Sequence, residues 1–301
     1  MVQIHEGYMP FGEYRTYYRV AGDLDSGKAP LLLLHGGPGS THNYFETFDD
    51  LAETGRAIVT YDQIGCGLSS MPDQPALWTA QTWLDELEEI RRHLGLTRVH
   101  LLGQSWGGML AIAYLCDRSP QGVVSAILSS TLPSVRLWEQ EARRLVRLLP
   151  EPHRLAIERA LETGDFQDPA YQTAMDFYME RYCFGLDGME PPACVARPKQ
   201  TGTQSYAVAW GANEIVCTGA LRNHEYLDAL CRITQPALVL SGIDDECTPV
   251  VAKSMYDRLP RGRWELFAHS RHMPFLTERD RYMQVLQDWL AETEAGATSP
   301  Q

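Results

Sequence analysis

Short apolar segments alternate with amphipathic helical patterns along most of this sequence, and this alternation is the strongest indication of its fold. Seven segments rich in β-branched and apolar residues are typical of strands: 15–20, 31–34, 57–61, 99–102, 124–128, 237–240 and 264–267. Helical patterns lie between them at 79–96, 109–116 and 282–290. Such alternation predicts a mostly parallel sheet with right-handed crossovers, flanked by helices.

The alternation fails between residues 133 and 230. Helical amphipathic pieces and a Pro-rich loop occupy this stretch, without the pattern of buried strands. The sequence therefore predicts a helical cap over the carboxyl edge of the sheet, where open α/β sheets bind ligands. The predicted organisation is a first core segment, the cap, a second core segment and a flexible tail, at 1–133, 134–230, 231–292 and 293–301.

Charge and cysteine content narrow the classes of partner. The 301 residues carry a net charge of −13, which argues against nucleic acid, because phosphates require a basic surface. The sequence has no apolar stretch of membrane-spanning length, and its first residues do not resemble a secretory signal. Seven cysteines without CxxC spacing favour free thiols in a reducing compartment, so we expect a cytoplasmic protein. We predict no membrane partner and assign no oligomeric state.

The segment Gly103-Gln104-Ser105-Trp106-Gly107 matches the G-x-S-x-G pattern of a nucleophile elbow. It follows a predicted strand and precedes a predicted helix, which is the context that the motif requires. The glycines let the chain turn sharply, and the helix adds N–H donors and a positive dipole end. Ser105 is therefore a candidate nucleophile, and the alternative is a serine that caps the helix.

A nucleophilic serine requires a histidine base and an acid to orient it, following in the order serine, acid, histidine. The sequence supplies both in that order, each after a predicted strand. SGIDDECTP contains the candidate acids Asp244 and Asp245, and AHSRHMPF contains the candidate bases His269 and His272. Both choices are open from the residues alone.

The stretch LLLLHGGPGS joins a strand that is apolar on both faces to a turn almost without side chains. With YDQIGCGLS, GQSWGG, GANE and DECTP, it resembles the α/β-hydrolase fold. More narrowly, the five motifs resemble the proline iminopeptidase and amino-acid amidase family of serine aminopeptidases. The resemblance extends over nearly the whole chain. It implies an α/β fold whose mostly parallel central sheet is flanked by helices and carries a helical cap insertion.

The resemblance also selects among the candidate catalytic residues. In the family pattern the acid stands three residues after a glycine, which selects Asp245 over Asp244. The corresponding histidine is His272, with His269 as the minority alternative. Ser105 would then attack the substrate carbonyl, His272 would take its proton, and Asp245 would orient the imidazole.

Backbone donors are the next part of the implied site. The resemblance makes the N–H groups of Gly37 and Trp106 the expected oxyanion hole, where fixed donors stabilise charge as it develops on the carbonyl oxygen. Gly36 and Tyr206 are further candidates for the substrate pocket, although a tyrosine of the core would leave the same pattern.

Two carboxylates distinguish the implied aminopeptidase site from that of a generic esterase. In the family, glutamates at the positions of Glu214 and Glu246 bind the free α-amino group of the substrate, and a desolvated ammonium does require anionic acceptors. Without the resemblance, Glu214 would be read as a solvated cap residue. Cys66 and Cys247 are best read as small buried side chains. Metal-ligand spacing and phosphate-binding loops are lacking, so we predict neither metal nor cofactor.

These residues predict a serine hydrolase that releases the first amino acid of a short peptide or amino-acid amide through an aminoacyl-enzyme. The alternatives are a carboxylesterase, lactonase or C–C hydrolase with the same triad, and a non-catalytic binding module on the same fold. Epoxide hydrolases and haloalkane dehalogenases are disfavoured because their nucleophile is an aspartate. The first residue of the substrate stays open among proline, alanine, phenylalanine and broader specificity.

Overall fold

A computed structural model describes residues 2–298, and within them one sheet of eight strands forms the centre of the molecule. The strand order is β1-β2-β4-β3-β5-β6-β7-β8. β1 and β2 are antiparallel to their neighbours, and the remaining pairs are parallel. The strands are β1 (Ile4–Phe11), β2 (Tyr14–Ala21), β3 (Leu31–Leu34), β4 (Ile58–Tyr61), β5 (Val99–Gln104), β6 (Val123–Ser129), β7 (Ala237–Gly242) and β8 (Gly262–Phe267).

Helices connect the parallel strands and fill the interval between β6 and β7. They are α1 (Ala80–His93), α2 (Trp106–Ala113), α3 (Val135–Arg147), α4 (Glu151–Thr163), α5 (Pro169–Met179), α6 (Ala193–Ala196), α7 (Thr203–Ala209), α8 (Pro249–Tyr256), α9 (Pro274–Thr277) and α10 (Arg279–Thr298). π-Helical turns extend α2 and α5, at Tyr114–Arg118 and Glu180–Phe184. The 3₁₀ segments are His42–Thr54, Pro75–Leu77, Ala220–Asn223 and Leu227–Arg232. Among the described residues, none of these helices has the length and hydrophobicity needed to cross a membrane.

The central strand β3 is apolar throughout because both faces of the sheet are covered. All four residues of β3 are buried, and they alternate between two core clusters. Leu32 and Leu34 join the cluster that contains α1 and α2, whereas Leu31 and Leu33 join the one that contains α10. This period of two is what a strand between two helical layers requires.

The seven predicted strands are confirmed as β2 to β8, but the sequence missed β1. This edge strand is mostly exposed and includes Pro10, so its alternating pattern is weak. It is held by antiparallel pairing with β2 along its whole length, from Ile4–Ala21 to Phe11–Tyr14. Hairpin pairing with β2, the next strand along the chain, stabilises a segment that its own composition does not mark.

The last helix, α10, continues to Thr298 and so includes the first residues of the predicted tail 293–301. Thr293 is buried, and the Glu294 carboxylate accepts hydrogen bonds from the Arg56 guanidinium at 2.8 and 2.9 Å. It also accepts one from the Ala29 N–H at 2.9 Å. The sequence showed no apolar pattern here because the contact is ionic. Residues 299–301 lie outside the described part of the chain.

Candidate active site

The loops that follow β3, β5, β7 and β8 meet at the carboxyl edge of the sheet. Ser105 follows β5 and precedes α2, with φ 56° and ψ −124°, a conformation that a residue with a side chain rarely adopts. Its N–H donates to the Ser129 carbonyl at 3.1 Å, and its carbonyl accepts from the Thr131 hydroxyl at 2.6 Å. A Cβ at Gly107 would lie 1.9 Å from the Leu34 carbonyl oxygen, so only glycine permits this close contact. The geometry fits a nucleophile elbow.

His272 and Asp245 lie together below the cap. His272 Nδ1 is 2.8 Å from Asp245 Oδ1, and the two residues are 4% and 1% exposed. The same Asp245 oxygen accepts the Cys247 N–H at 2.8 Å, which fixes the carboxylate. The pair therefore has the geometry of a base and its orienting acid.

Asp244 and His269, the alternative acid and base, make contacts outside the pair described above. Asp244 forms an ion pair with Arg181 of the cap at 3.2 Å. His269 is exposed, and its backbone N–H donates to Glu278. The structure thus brings His272 to Asp245 and leaves both alternatives away from this pair.

His272 Nε2 faces a third carboxylate. It lies 3.6 Å from Glu246 Oε1, and among the described contacts Ser105 Oγ forms no hydrogen bond with His272. Catalytic hydrogen bonds are often long in substrate-free enzymes and shorten when the substrate binds. Burial alone would lower the pKa of His272, but the carboxylates of Asp245, Glu246 and Glu214 raise it to about 9.

The glycine loop after β3 lies directly against the elbow. A Cβ at Gly36 would be 2.8 Å from Gln104 Oε1 and 3.1 Å from Ser105 Cβ, so a larger residue does not fit. The Gly36 N–H donates to the Tyr44 hydroxyl at 2.7 Å and is not available to a substrate. Gly37, with φ +116°, forms no loop or turn hydrogen bond through its N–H among the described contacts.

Trp106 supplies the other expected donor. It is the first residue of α2, where an N–H has no acceptor within the helix. The Gly37 N–H, in the loop whose Gly36 lies against Ser105, and the Trp106 N–H stay the predicted donors of the oxyanion hole.

Two glutamines that sequence reasoning did not select connect these loops. Gln63 Nε2 donates to the His35 carbonyl at 3.0 Å, and Gln63 Oε1 accepts from Trp106 Nε1 at 2.7 Å. Gln104 accepts from the Tyr44 hydroxyl at 2.9 Å. Both glutamines stand in quoted motifs, YDQIGCGLS and GQSWGG, and that position was the available signal.

Glu214 and Glu246 approach the base from the cap and from the loop after β7. The Tyr206 hydroxyl donates to Glu214 Oε2, and the indoles of Trp138 and Trp210 donate to the Glu214 carbonyl at 3.4 and 3.3 Å. Glu246 is 3% exposed, and its Oε2 is buried without a hydrogen-bond partner among the described residues. The predicted amine-binding pair thus lies beside the predicted base.

Burial raises the pKa values of both glutamates. For Glu214 the Tyr206 hydrogen bond acts in the opposite direction, and for Glu246 the charge of His272 does so. Carboxylates that lack full hydration stabilise a bound cation strongly. A substrate ammonium would provide the missing partner of Glu246 Oε2.

A tyrosine of α5 also faces this pocket and was not anticipated. Tyr178 is fully buried, and its hydroxyl has no hydrogen-bond partner among the described residues. Burial, with the charges of Glu246 and Glu214, raises its pKa strongly. A tyrosine on an amphipathic helix looks like any core residue, so the sequence held no signal for it.

The cysteines near the site are free thiols. Cys66 and Cys247 are buried, and burial raises the pKa of each, which disfavours a reactive thiolate. One set of three metal-ligating atoms within 4.8 Å of one another is His35–Asp62–Cys66. Asp62 already binds His42 at 2.8 Å, so we assign no metal there. The absence of a cofactor stays a prediction.

Comparison with known proteins agrees with this architecture. Residues 29–279 match the family described as the alpha/beta hydrolase fold. The crystal structure of VinJ superimposes with a TM-score of 0.88 at 36% identity, covering 96% of this chain and 99% of that one. The fold and the geometry of the site thus assign this chain to the class of α/β hydrolases.

Similar proteins indicate a particular family within the α/β hydrolases. Proline iminopeptidase of Clostridium botulinum is 52% identical over 293 residues, which is 97% of this chain and 100% of the relative. The crystal structure of a proline iminopeptidase of Mycobacterium smegmatis gives a TM-score of 0.86 at 32% identity, covering 97% of this chain and 100% of that one. The chain belongs to the proline iminopeptidase family.

Proposed function

We propose that this chain is a serine aminopeptidase that releases the first residue of short peptides or amino-acid amides. The observation that carries the proposal is Glu246 Oε2, a buried acceptor with no hydrogen-bond partner within residues 2–298; Glu246 is 3% exposed and adjacent to the proposed base. With Glu214 it forms an anionic pocket in which a free α-ammonium would find its acceptors. The name of the relatives favours proline as the first residue.

The proposed reaction begins when Ser105 Oγ attacks the carbonyl of the first residue and His272 Nε2 takes its proton. The Gly37 and Trp106 N–H groups stabilise the oxyanion, and Asp245 stabilises the imidazolium. The imidazolium then gives its proton to the leaving amine, which leaves an aminoacyl ester on Ser105. Water attacks that ester as His272 takes a proton from the water; the bond between the acyl carbon and Ser105 Oγ then breaks, the imidazolium returns the proton to Oγ, and the free amino acid departs.

The proposed cap, residues 134–230, limits the length of the substrate. Its Glu214 is buried and near His272, so we expect the amino terminus of the substrate to be held at Glu214 and Glu246, with the scissile carbonyl at Ser105. The core segments are 1–133 and 231–292. The proposed location is the cytoplasm, and nucleic acid is not a proposed partner, in line with the net charge of −13.

The test is a panel of L-prolyl-, L-alanyl- and L-phenylalanyl-p-nitroanilides compared with p-nitrophenyl acetate. Cleavage of the free aminoacyl anilides, lost in Ser105→Ala, supports the proposal. Triad removal in a comparable enzyme costs about a million-fold in kcat. Hydrolysis of the neutral ester alone would favour the esterase alternative, and a protein inert toward all four substrates would favour a binding module.

A further inference from the structure

His272 has carboxylates at both ring nitrogens. Nδ1 is 2.8 Å from Asp245 Oδ1, and Nε2 is 3.6 Å from Glu246 Oε1. An imidazole ring can donate from both nitrogens only when it is protonated. A carboxylate hydrogen-bonded to one nitrogen and a second carboxyl group at ion-pair distance from the other therefore favour the imidazolium.

This resting arrangement opposes the proposed chemistry, in which Nε2 must accept a proton from Ser105. The groups that face His272 come from two regions, the loop after β7 and the cap. They are Asp245, Glu246 and Cys247 from the loop, and Glu214 and Cys183 from the cap. Burial lowers the pKa of His272, but the carboxylates outweigh it and raise the pKa to about 9. At neutral pH the free enzyme would hold its base already protonated.

We propose that the substrate's own ammonium group activates the base, by taking over Glu246 and Glu214 so that His272 Nε2 loses its proton. This inference rests on the proposed function. Glu246 Oε2 is the available contact, since it is buried without a partner among the described residues.

The charges balance in this exchange. One positive charge, the ammonium, enters the pocket, and one proton leaves Nε2 for the solvent. The carboxyl groups of Asp245, Glu246 and Glu214 therefore face one cation before binding and one after it, and the protonation of the two glutamates, whose pKa values burial raises, need not change. His272 then presents a lone pair at Nε2 and keeps Nδ1–H on Asp245, the tautomer that a serine hydrolase requires.

The consequence is a second level of selection for a free amino terminus. An N-acetylated substrate binds without a cation and leaves the imidazolium in place. It would thus be slow in the chemical step as well as weakly bound. Glu246 acts here as a positioning residue for the base in addition to contacting the amine.

Ring ¹⁵N NMR of His272 tests the inference directly. The sample is Ser105→Ala labelled on histidine, at about pH 7.5, below the raised pKa of about 9, and His272→Gln in the same background assigns the signal. We expect an imidazolium in the free protein and the neutral Nδ1–H tautomer after saturation with L-prolinamide. A ring that is neutral before ligand, or still charged at saturation, would overturn the inference. Absence of L-prolinamide binding would instead overturn the proposed function.

Wild-type kinetics provide a second measurement that needs no variant. The pH dependence of kcat/KM reports the free enzyme, and that of kcat reports the substrate complex. For L-prolyl-p-nitroanilide the acid limb of kcat should lie at least about one pH unit below that of kcat/KM. For p-nitrophenyl acetate, which has no ammonium, the two limbs should coincide. Coincident limbs for the prolyl substrate would contradict activation by the amine.

Discussion

Ser105 occupies a backbone conformation with φ 56° and ψ −124°, and such conformations cost about 1–3 kcal/mol in a residue with a side chain. Backbone hydrogen bonds to Ser129 and Thr131 offset that cost, and the Ser105 hydroxyl takes part in neither. An alanine at this position keeps both bonds. Ser105→Ala should therefore fold normally, which makes it a suitable background for binding studies.

Asp245→Asn should lower kcat/KM for L-prolyl-p-nitroanilide by about 1000-fold or more, because only a carboxylate on Nδ1 fixes the required tautomer; the same change in the serine protease triad costs about 10⁴-fold. The matched control is Asp244→Asn, one residue away. Asp244 is paired with Arg181 and not with His272, so its variant should stay within a few fold of wild type. Equal losses in the two variants would contradict the assignment of the acid.

The strands and the loops at their carboxyl ends were predictable for different reasons. The strands β2 to β7 are largely buried, and burial leaves a pattern in the sequence. The exposed edge strand β1 leaves none. In the loops, glycines and the elbow serine mark where the backbone must turn, whereas the contacts that align the loops join distant residues. Gln63 is 28 residues from His35 and 43 from Trp106, so no local pattern could reveal its contacts.

Gln63→Leu tests whether alignment of two loops supports the oxyanion hole. The change removes the acceptor of Trp106 Nε1 and the donor to the His35 carbonyl, and it leaves a buried indole N–H unpaired, at a cost of about 1–3 kcal/mol. We expect kcat to fall about 10- to 100-fold, with KM changed much less, since the loss affects transition-state stabilisation.

The control for Gln63 is Gln81→Leu on α1, whose amide contacts only the exposed Asp85 among the described hydrogen bonds. The kcat and KM of Gln81→Leu should both match those of the wild type. Thermal unfolding of each variant, measured in parallel, distinguishes a loss of folded protein from a loss of catalytic activity. An unchanged kcat for folded Gln63→Leu would show that Gln63 does not position the oxyanion hole.

Across the whole molecule, ion pairs connect regions that are far apart in the chain. Arg271 binds Asp187 of the cap at 2.7 Å, and Arg56 after the first 3₁₀ segment binds Glu294 of the last helix at 2.8 Å. Arg56 is 5% exposed, so that carboxylate is the counter-charge of a buried guanidinium. A hydrophobic pattern does not reveal such contacts, so the sequence contained no sign of the pair that holds Glu294 of the last helix.

Glu294→Gln should lower the free energy of unfolding by about 1–3 kcal/mol at neutral pH, because it weakens two charged hydrogen bonds to a buried guanidinium. Urea unfolding measures the difference. The control is Glu292→Gln on the same helix, which breaks only the exposed pair with Arg263 and should change little. Equal effects would show that burial of the pair is unimportant.

The Arg56–Glu294 pair also makes the free energy of unfolding depend on pH. Partial burial would raise the pKa of Glu294, but the hydrogen bonds from Arg56 and Ala29 lower it from 4.5 to about 2. A carboxyl with a lowered native pKa stabilises the fold above its unfolded value and loses that contribution as the pH falls toward the native value. The stability gap between wild type and Glu294→Gln should therefore be full above about pH 4.5 and shrink toward pH 2. A gap independent of pH would contradict this.

The central claim is that Glu214 and Glu246 bind the free amine of the substrate, and one ratio tests it most directly. The measurement is kcat/KM for L-prolyl-p-nitroanilide divided by that for its N-acetyl counterpart. Unpairing a buried charge costs about 2–5 kcal/mol, so the wild-type ratio should be roughly 30 to several thousand. Glu214→Gln and Glu246→Gln should each shrink it, while Asp244→Asn leaves it unchanged. A wild type that prefers the acetylated substrate, or does not discriminate, would contradict the account.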